Sequence, residues 1–299
     1  MTGTGPDGRH LDGLLVAVHG ATGAQGRPVI DRLLAAGHRP RAVARKPDPR
    51  RLPAGVEISA ADASDADALT HAYTGADAVV LVLPGGAPDD VAVAQAEAIL
   101  EALTRAQVQR AVFNAGGAIW TRPPAIPFLQ ARSRLAAGLP DAVARATVVA
   151  PVGGLMENLS EPWLVERLRR TGELVQTSPS DASLRPVAMT DIAAAAVAAL
   201  LDDSSPGRVL VEGPAEHTGD EIARAIGVHL GRSVRWTTVR PDEYLRGVAG
   251  GLGAQYAANI GALYGGGVHV EPPDPPPAGT AHLTGPTSLL AWIPTQRWS

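Results

Sequence analysis

The 299-residue chain contains no cysteine. That excludes disulfides, thiolate nucleophiles and cysteine-based zinc sites. Lysine is almost absent too: Lys46 stands alone against twenty-five arginines. Any chemistry that needs an ammonium group must use that one position or do without it. An excess of positive charge is also missing. The 26 basic residues face 30 acidic ones, for a net charge of −4 and a pI near 6.1. Such a balance offers no basic face for nucleic acid or an anionic membrane. No apolar stretch free of charges and turn residues approaches the ~20 residues of a membrane span. The first apolar run, Leu14 to Val18, is too short for a signal segment. The eight histidines show no metal-ligand spacing, so no metal is expected. No Gly-x-Ser-x-Gly elbow is present, which gives a serine hydrolase no support. The expectation is a cytoplasmic protein that handles a small molecule, with neither nucleic acid nor membrane as a partner.

Hydrophobic residues make up 45% and charged residues 19%, enough for one large α/β unit with its own core. Leu14-Leu-Val-Ala-Val-His19 is continuously apolar, as a strand buried on both faces should be. Gly20-Ala-Thr-Gly-Ala-Gln-Gly26 follows, and then a helix from Pro28 to the stop at Gly37. Further strands are expected at 41–45, 56–60, 78–83, 111–114 and 146–150, with helices at about 91–105 and 127–138. Strands alternating with helices imply right-handed crossovers and a parallel sheet. The second half is more mixed. It holds an apolar helix over 191–201 with Thr190 as N-cap, strands at 208–212 and 234–239, and the capping-box spacing Thr218-Gly-Asp-Glu221 before a helix over 222–230. The expected organisation is a flexible 1–13, a dinucleotide-binding 14–150, and a mixed substrate or lid region over 151–299 that returns segments to the first unit. The fold class is α/β: a Rossmann-type doubly wound parallel sheet with a smaller C-terminal region.

The glycine spacing carries the first functional expectation. A phosphate-binding turn needs glycine to turn sharply, to let the backbone approach a pyrophosphate, and to pack the next helix on the sheet. The helix N-terminus then presents N–H groups and partial positive charge to the phosphates. Gly20, Thr22, Gly23, Ala24, Gln25 and Gly26 sit between a buried strand and a helix, where such a turn belongs. The second strand ends in Arg45-Lys46 rather than an acidic residue, a pair suited to the 2′-phosphate of NADP(H). Asp62, after the third strand, could accept from an adenine amino group or cap a turn.

The chain resembles the NmrA-like group of atypical short-chain dehydrogenases/reductases. The resemblance rests on residues 20–29, on Val79-Val-Leu-Val-Leu-Pro84, on Met156-Glu-Asn-Leu159, on Val187 to Ala193 and on Leu283 to Trp292. It implies a Rossmann domain with a substrate cleft above it, Leu83, Pro84 and Arg132 near the cofactor, and Gly116, Trp120, Met156, Asn158 and Tyr244 near the substrate. Some members of the group are reductases of quinones and other carbonyls, while others only sense the cofactor. The superfamily's usual serine, tyrosine and lysine are missing. The serine position reads Asn114-Ala115, no tyrosine lies between Tyr73 and Tyr244, and the only lysine is at the adenosine end. In the NmrA-like group the helix after the fifth strand often supplies a lysine. Here that helix reads as a shortened Gln130-Ala-Arg-Ser-Arg134, so Arg132 or Arg134 could take that place. Arginine stays protonated and is a poor general acid.

Hydride transfer needs orientation and charge stabilisation more than a protein acid. Asn114, Ser133, Arg134 and the N–H groups near Gly116-Gly117 are the candidates for that stabilisation. The expectation is an NADPH-dependent ketoreductase. Its substrate would be a large polycyclic hydroxylated natural product, such as an aromatic polyketide antibiotic, that supplies its own proton or takes one from water. Trp120, Phe128, Trp163, Tyr244, Tyr256 and Tyr264 are the stacking candidates. A redox sensor that only binds NADP(H) and a cofactor-retaining isomerase or cyclase are the competing expectations. The protein is expected to be a monomer or a weak homodimer.

Overall fold

The computed structural model describes residues 13–264, 273 and 275–298. The expected flexible segment up to residue 12, the Gly265-Gly-Gly267 run, His269 and Pro272 lie outside the described residues.

In chain order the first half runs β1 (Leu15–His19), α1 (Gly26–Ala35), β2 (Arg39–Ala44), β3 (Glu57–Ala60), α2 (Ala66–Tyr73), β4 (Ala78–Leu81), α3 (Asp89–Arg105), β5 (Arg110–Asn114), α4 (Pro127–Ala142) and β6 (Arg145–Pro151). The second half runs α5 (Pro162–Thr171), β7 (Glu173–Gln176), β8 (Ser183–Leu184), α6 (Met189–Leu201), β9 (Arg208–Glu212), β10 (His217–Thr218), α7 (Gly219–Leu230), β11 (Arg235–Thr238), α8 (Pro241–Leu252), α9 (Ala254–Gly261), β12 (Ala281–Thr284) and α10 (Leu289–Trp292). Eight strands form one parallel sheet in the order β12-β9-β6-β5-β4-β1-β2-β3. The chain winds outward from β1 through β3, then returns to lay β4 on the other flank of β1. The C-terminal ends of β1 and β4 therefore bound a crevice, the place where open α/β sheets bind ligands.

Strand side chains alternate between two cores. Ala17, Val79, Leu81, Phe113 and Val148 face α2, α3 and α4, while Val16, Val18, Val80, Val112 and Val149 face α1 and α6. Burial on both sides is why these strands read as unbroken apolar runs rather than alternating ones. A third core, around Leu164, Leu168, Ile226, Trp236 and Trp292, holds the C-terminal elements together.

Two local expectations are corrected. Helix α4 is not shortened: it runs 16 residues and carries Pro140 in its last turn, where the missing N–H forfeits one helical hydrogen bond just before the helix ends. Helix α6 begins at Met189 with Ala188 as its cap, so Thr190 lies inside the helix. The Met189 N–H is taken by the Glu157 carboxylate at 3.0 and 3.1 Å. The capping box at Thr218 and Glu221 forms with bonds of 3.2 and 2.9 Å.

Three of the family-like motifs meet in one network. Besides Met189, Glu157 accepts the Trp292 indole N–H at 3.1 Å. Asp191 accepts from the backbone and hydroxyl of Thr287, at 2.9 and 2.8 Å. Gly285 leaves Asp191 room, since a Cβ there would lie 2.4 Å from Oδ2. These motifs therefore pin the C-terminus and α6 to the turn that follows β6. Among the described residues, no helix is long and apolar enough to cross a membrane and no three His, Asp or Glu side chains cluster as metal ligands would.

Candidate active site

The turn between β1 and α1 is tight enough to dictate its own composition. Gly20 has φ +59, and the Gly23 N–H closes the turn on the Gly20 carbonyl at 2.8 Å. A Cβ on Gly26 would sit 2.3 Å from that same oxygen, so the start of α1 touches the turn directly. No side chain caps α1 and no acidic residue occupies its first turn. The helix end thus offers its partial positive charge outward. The cradle fits a pyrophosphate in shape and charge.

Beside it lies a cavity walled by Gly20, Val43, Ala63, Leu83, Pro84 and Gln95, with Arg45 at its rim. Arg45 and Lys46 are exposed. Among the described residues, Arg45 makes one loose ion-pair approach, 3.9 Å to Asp62. Asp62 uses Oδ1 to hold Ser64 at 3.0 and 2.7 Å, which keeps its carboxyl below the usual range. The turn-capping alternative for Asp62 is therefore the observed one, with Oδ2 left facing Arg45. Sequence reasoning missed Arg51, which sits on a short turn over Pro49–Arg51 and grips the Thr22 carbonyl at 2.9 Å. Arg27 in turn holds the Arg51 carbonyl at 2.8 Å. Only the fold brings Arg51 beside the glycine turn. His19 is buried, and its ring bonds the hydroxyl of buried Tyr73. Burial pulls that imidazole down to about 4.

A second cavity opens at the ends of β4 and β5. Gln25 and Leu83 bound it toward the glycine turn, and Asn114, Gly116 and Arg132 form its floor. Phe128, Trp163, Tyr244, Tyr256 and Tyr264 wall it, and Asn158 and Glu161 complete the rim. Asn114 is buried; its Oδ1 accepts the Gly116 N–H at 3.2 Å, while its Nδ2 donor has no partner. Arg132 is 4% exposed and its Nε and Nη2 lack hydrogen-bond partners. Its guanidinium carbon lies 5.5 Å from the Phe128 ring centroid, and burial lowers its pKa to about 10. Gly116 abuts Gln25 and Gly117 abuts Arg132, each close enough to leave a Cβ no more than 3.0 Å.

The lid comes from α8 and α9, which the sequence left as aromatic-bearing chain without assigned helices. Gly247 and Gly251 let α8 press onto the Trp163 indole, where a Cβ would fall within 2.7 Å of the ring. Tyr244 stacks on Tyr264 at 4.9 Å and meets Trp163 edge-on at 5.3 Å. Its hydroxyl bonds Tyr264 and Gln176, and burial raises its pKa strongly. Asn259 of α9 donates to the Gly85 and Ala87 carbonyls at 2.8 and 3.0 Å. The lid is thereby fastened to the loop after β4.

Four expected site residues lie elsewhere. Arg134 points out of α4 to Glu97 of α3, with bonds of 2.5 and 3.2 Å, and is 54% exposed. Ser133 is buried on α4 but lines neither cavity, because a step of one residue turns it away from the face that carries Arg132. Trp120 packs with Phe128 and Leu129 behind the wall. Met156 is 1% exposed inside the third core, placed there by the Glu157 network. Conversely, Glu161 was not anticipated. Burial raises its carboxyl, and a lone acid before Pro162 gives no sequence signal.

A sequence model of the NmrA-like family matches residues 14–265. The chain belongs to the NmrA-like family. It is 34% identical over 232 residues to a (4-alkanoyl-5-oxo-2,5-dihydrofuran-3-yl)methyl phosphate reductase from Streptomyces griseus, covering 76% of this chain and 78% of that protein. Among solved structures, a nucleoside-diphosphate-sugar epimerase from Staphylococcus aureus superposes with a TM-score of 0.69 at 17% identity, covering 94% of this chain and 99% of that one. A Citrobacter triphenylmethane reductase solved with NADP(H) gives 0.66 at 18% identity, covering 86% and 92%. These structural likenesses establish the Rossmann-like fold.

Proposed function

We propose that this NmrA-like protein is an NADP(H)-dependent oxidoreductase that reduces a carbonyl-bearing small molecule. The observation that carries the reading is the crevice at β1 and β4. It joins a glycine turn, closed so tightly that Gly26 has no room for a side chain, to an aromatic-walled cavity lined by unspent donors. Gly20, Thr22, Gly23, Ala24, Gln25 and Gly26 would hold the pyrophosphate, Arg45 and Lys46 the adenosine-side phosphate, and Leu83 and Pro84 the stretch between the cavities. When bound, NADPH supplies hydride.

The remaining chemistry falls to the chain itself. The Asn114 Nδ2 donor, fixed by its Oδ1 bond to Gly116, stabilises negative charge on a substrate oxygen. Glu161, kept protonated further up the pH scale by burial, is the acid on the cavity rim and gives the proton. It replaces water or a substrate phenol as the proton source expected from sequence.

The Streptomyces relative acts on a butenolide carrying a conjugated carbonyl and a phosphate, by its name. A carbonyl-conjugated lactone of that kind is the substrate class favoured here. The aromatic wall of Phe128, Trp163, Tyr244 and Tyr264 favours a second class, ketones on polycyclic hydroxylated natural products such as aromatic polyketides. Gly116 and Asn158 line the substrate end in either case. Loss of NADPH absorbance with either class supports the reading. Absence of turnover across both would leave a cofactor-binding sensor, and product without NADPH loss would indicate an isomerase.

A further inference from the structure

We infer that the substrate carries an oxyanion, a phosphate ester or a carboxylate, and that Arg132 is the group that binds it. The inference rests on the reductase reading above and adds the charge of the substrate to it. Arg132 is a buried cation, and no carboxylate among the described residues pairs with it. Its Nε and Nη2 have no hydrogen-bond partner in the protein, and its side chain lines the aromatic-walled cavity. A buried charge left uncompensated is costly, and a guanidinium presents a fork of N–H donors that matches two oxygens of an oxyanion. Contact with the Phe128 ring, at 5.5 Å, compensates one face only.

A ribose hydroxyl of the cofactor, the partner expected from the family lysine, would accept one hydrogen bond but bring no charge. The pyrophosphate cradle is formed at the start of α1, whereas Arg132 abuts Gly117 on the loop after β5. An anion on the substrate is the partner that supplies both charge and lone pairs. Glu161 lines the same cavity, and burial raises its carboxyl above the ordinary range, which lessens its opposition to an anion there. Asn114 Nδ2 lies on the same floor and can share the anion or the reacting oxygen.

The test uses the full chain loaded with NADP⁺, so that binding is read without turnover. The probes are a (4-alkanoyl-5-oxo-2,5-dihydrofuran-3-yl)methyl phosphate, the corresponding alcohol, and inorganic phosphate, each titrated by calorimetry. The phosphate ester is expected to bind about tenfold or more tighter than the alcohol, with inorganic phosphate competing against it. Arg132→Gln should abolish that preference, and Arg132→Lys should keep part of it, while NADPH affinity stays within about threefold in both. Equal binding of ester and alcohol, or binding of neither, by the unmodified protein overturns the inference without any variant. A preference that survives Arg132→Gln overturns it as well. Should NADP⁺ itself fail to bind, the reductase reading falls instead, which separates the two failures.

Discussion

At the residue scale, the tightest constraint is Gly26. Its Cβ would be driven into the Gly20 carbonyl, carbon and the Ala21 nitrogen, all backbone atoms that cannot rotate aside. Gly26→Ala should therefore cost about 1–3 kcal/mol in stability and weaken NADPH binding, read by melting and by fluorescence titration. Unchanged NADPH affinity would count against the turn as the phosphate site. Glu157 gives the opposite pattern. Its carboxylate closes the N-terminus of α6 and holds Trp292, 135 residues away in sequence. Glu157→Ala should lower stability by about 2–3 kcal/mol, because it strands buried donors, yet leave NADPH affinity alone. Glu161→Gln should cut turnover about a hundredfold at neutral pH and remove the alkaline limb of the rate profile. Persistence of that limb would return the proton to water or substrate.

At the scale of elements, α9 is held to the loop after β4 chiefly by Asn259 and by the Tyr256 ring against Gly85. Asn259→Ala should raise amide hydrogen exchange across residues 254–261 and raise the substrate KM, with little change in exchange across β1 or β5. Uniform exchange changes would point to global destabilisation instead. This lid is also where the sequence said least. Helix α8 carries three glycines, Gly247, Gly250 and Gly251, and propensity alone argues against a helix there. Two of those glycines are explained only by an indole that comes from 84 to 88 residues earlier. The central strands β1, β4, β5 and β6 were legible for the converse reason: burial on both faces writes itself into a continuous local run of apolar residues, whereas the exposed edge strand β12 carries no such run and was not expected. The glycine turn and the Arg45-Lys46 pair were legible because their spacing is local too. Arg132 could be named but not told apart from Arg134, since the choice depends on which face of α4 meets the cavity and which meets Glu97.

At the scale of the whole molecule, burial of ionisable groups couples folding to pH. His19 is depressed from 6.5 to about 4, so the folded chain holds fewer protons on it than the unfolded chain between those values. Its contribution is intact above pH 6.5 and is lost as pH falls through 4, a loss of about 3 kcal/mol when complete. Glu157 and Glu161 are raised by burial and act in the opposite sense, so a comparison isolates the histidine. His19→Gln keeps an amide partner for Tyr73, and its melting temperature should fall less than that of the unmodified protein from pH 7 to 4.5. Parallel curves would contradict the assignment. The motifs shared with the NmrA-like family divide by position: the first forms the glycine turn and the start of α1, while those at 156–159, 187–193 and 283–292 bind one another and hold the architecture.

The central claim is that the β1 to α1 turn and the basic residues beside it hold a nicotinamide dinucleotide bearing a 2′-phosphate. Equilibrium titration of the full chain with NADPH and, separately, with NADH tests it most directly. The account predicts saturable binding of both, with NADPH favoured by about tenfold or more at low salt and less as salt rises. Binding of neither nucleotide, or preference for NADH, would contradict it.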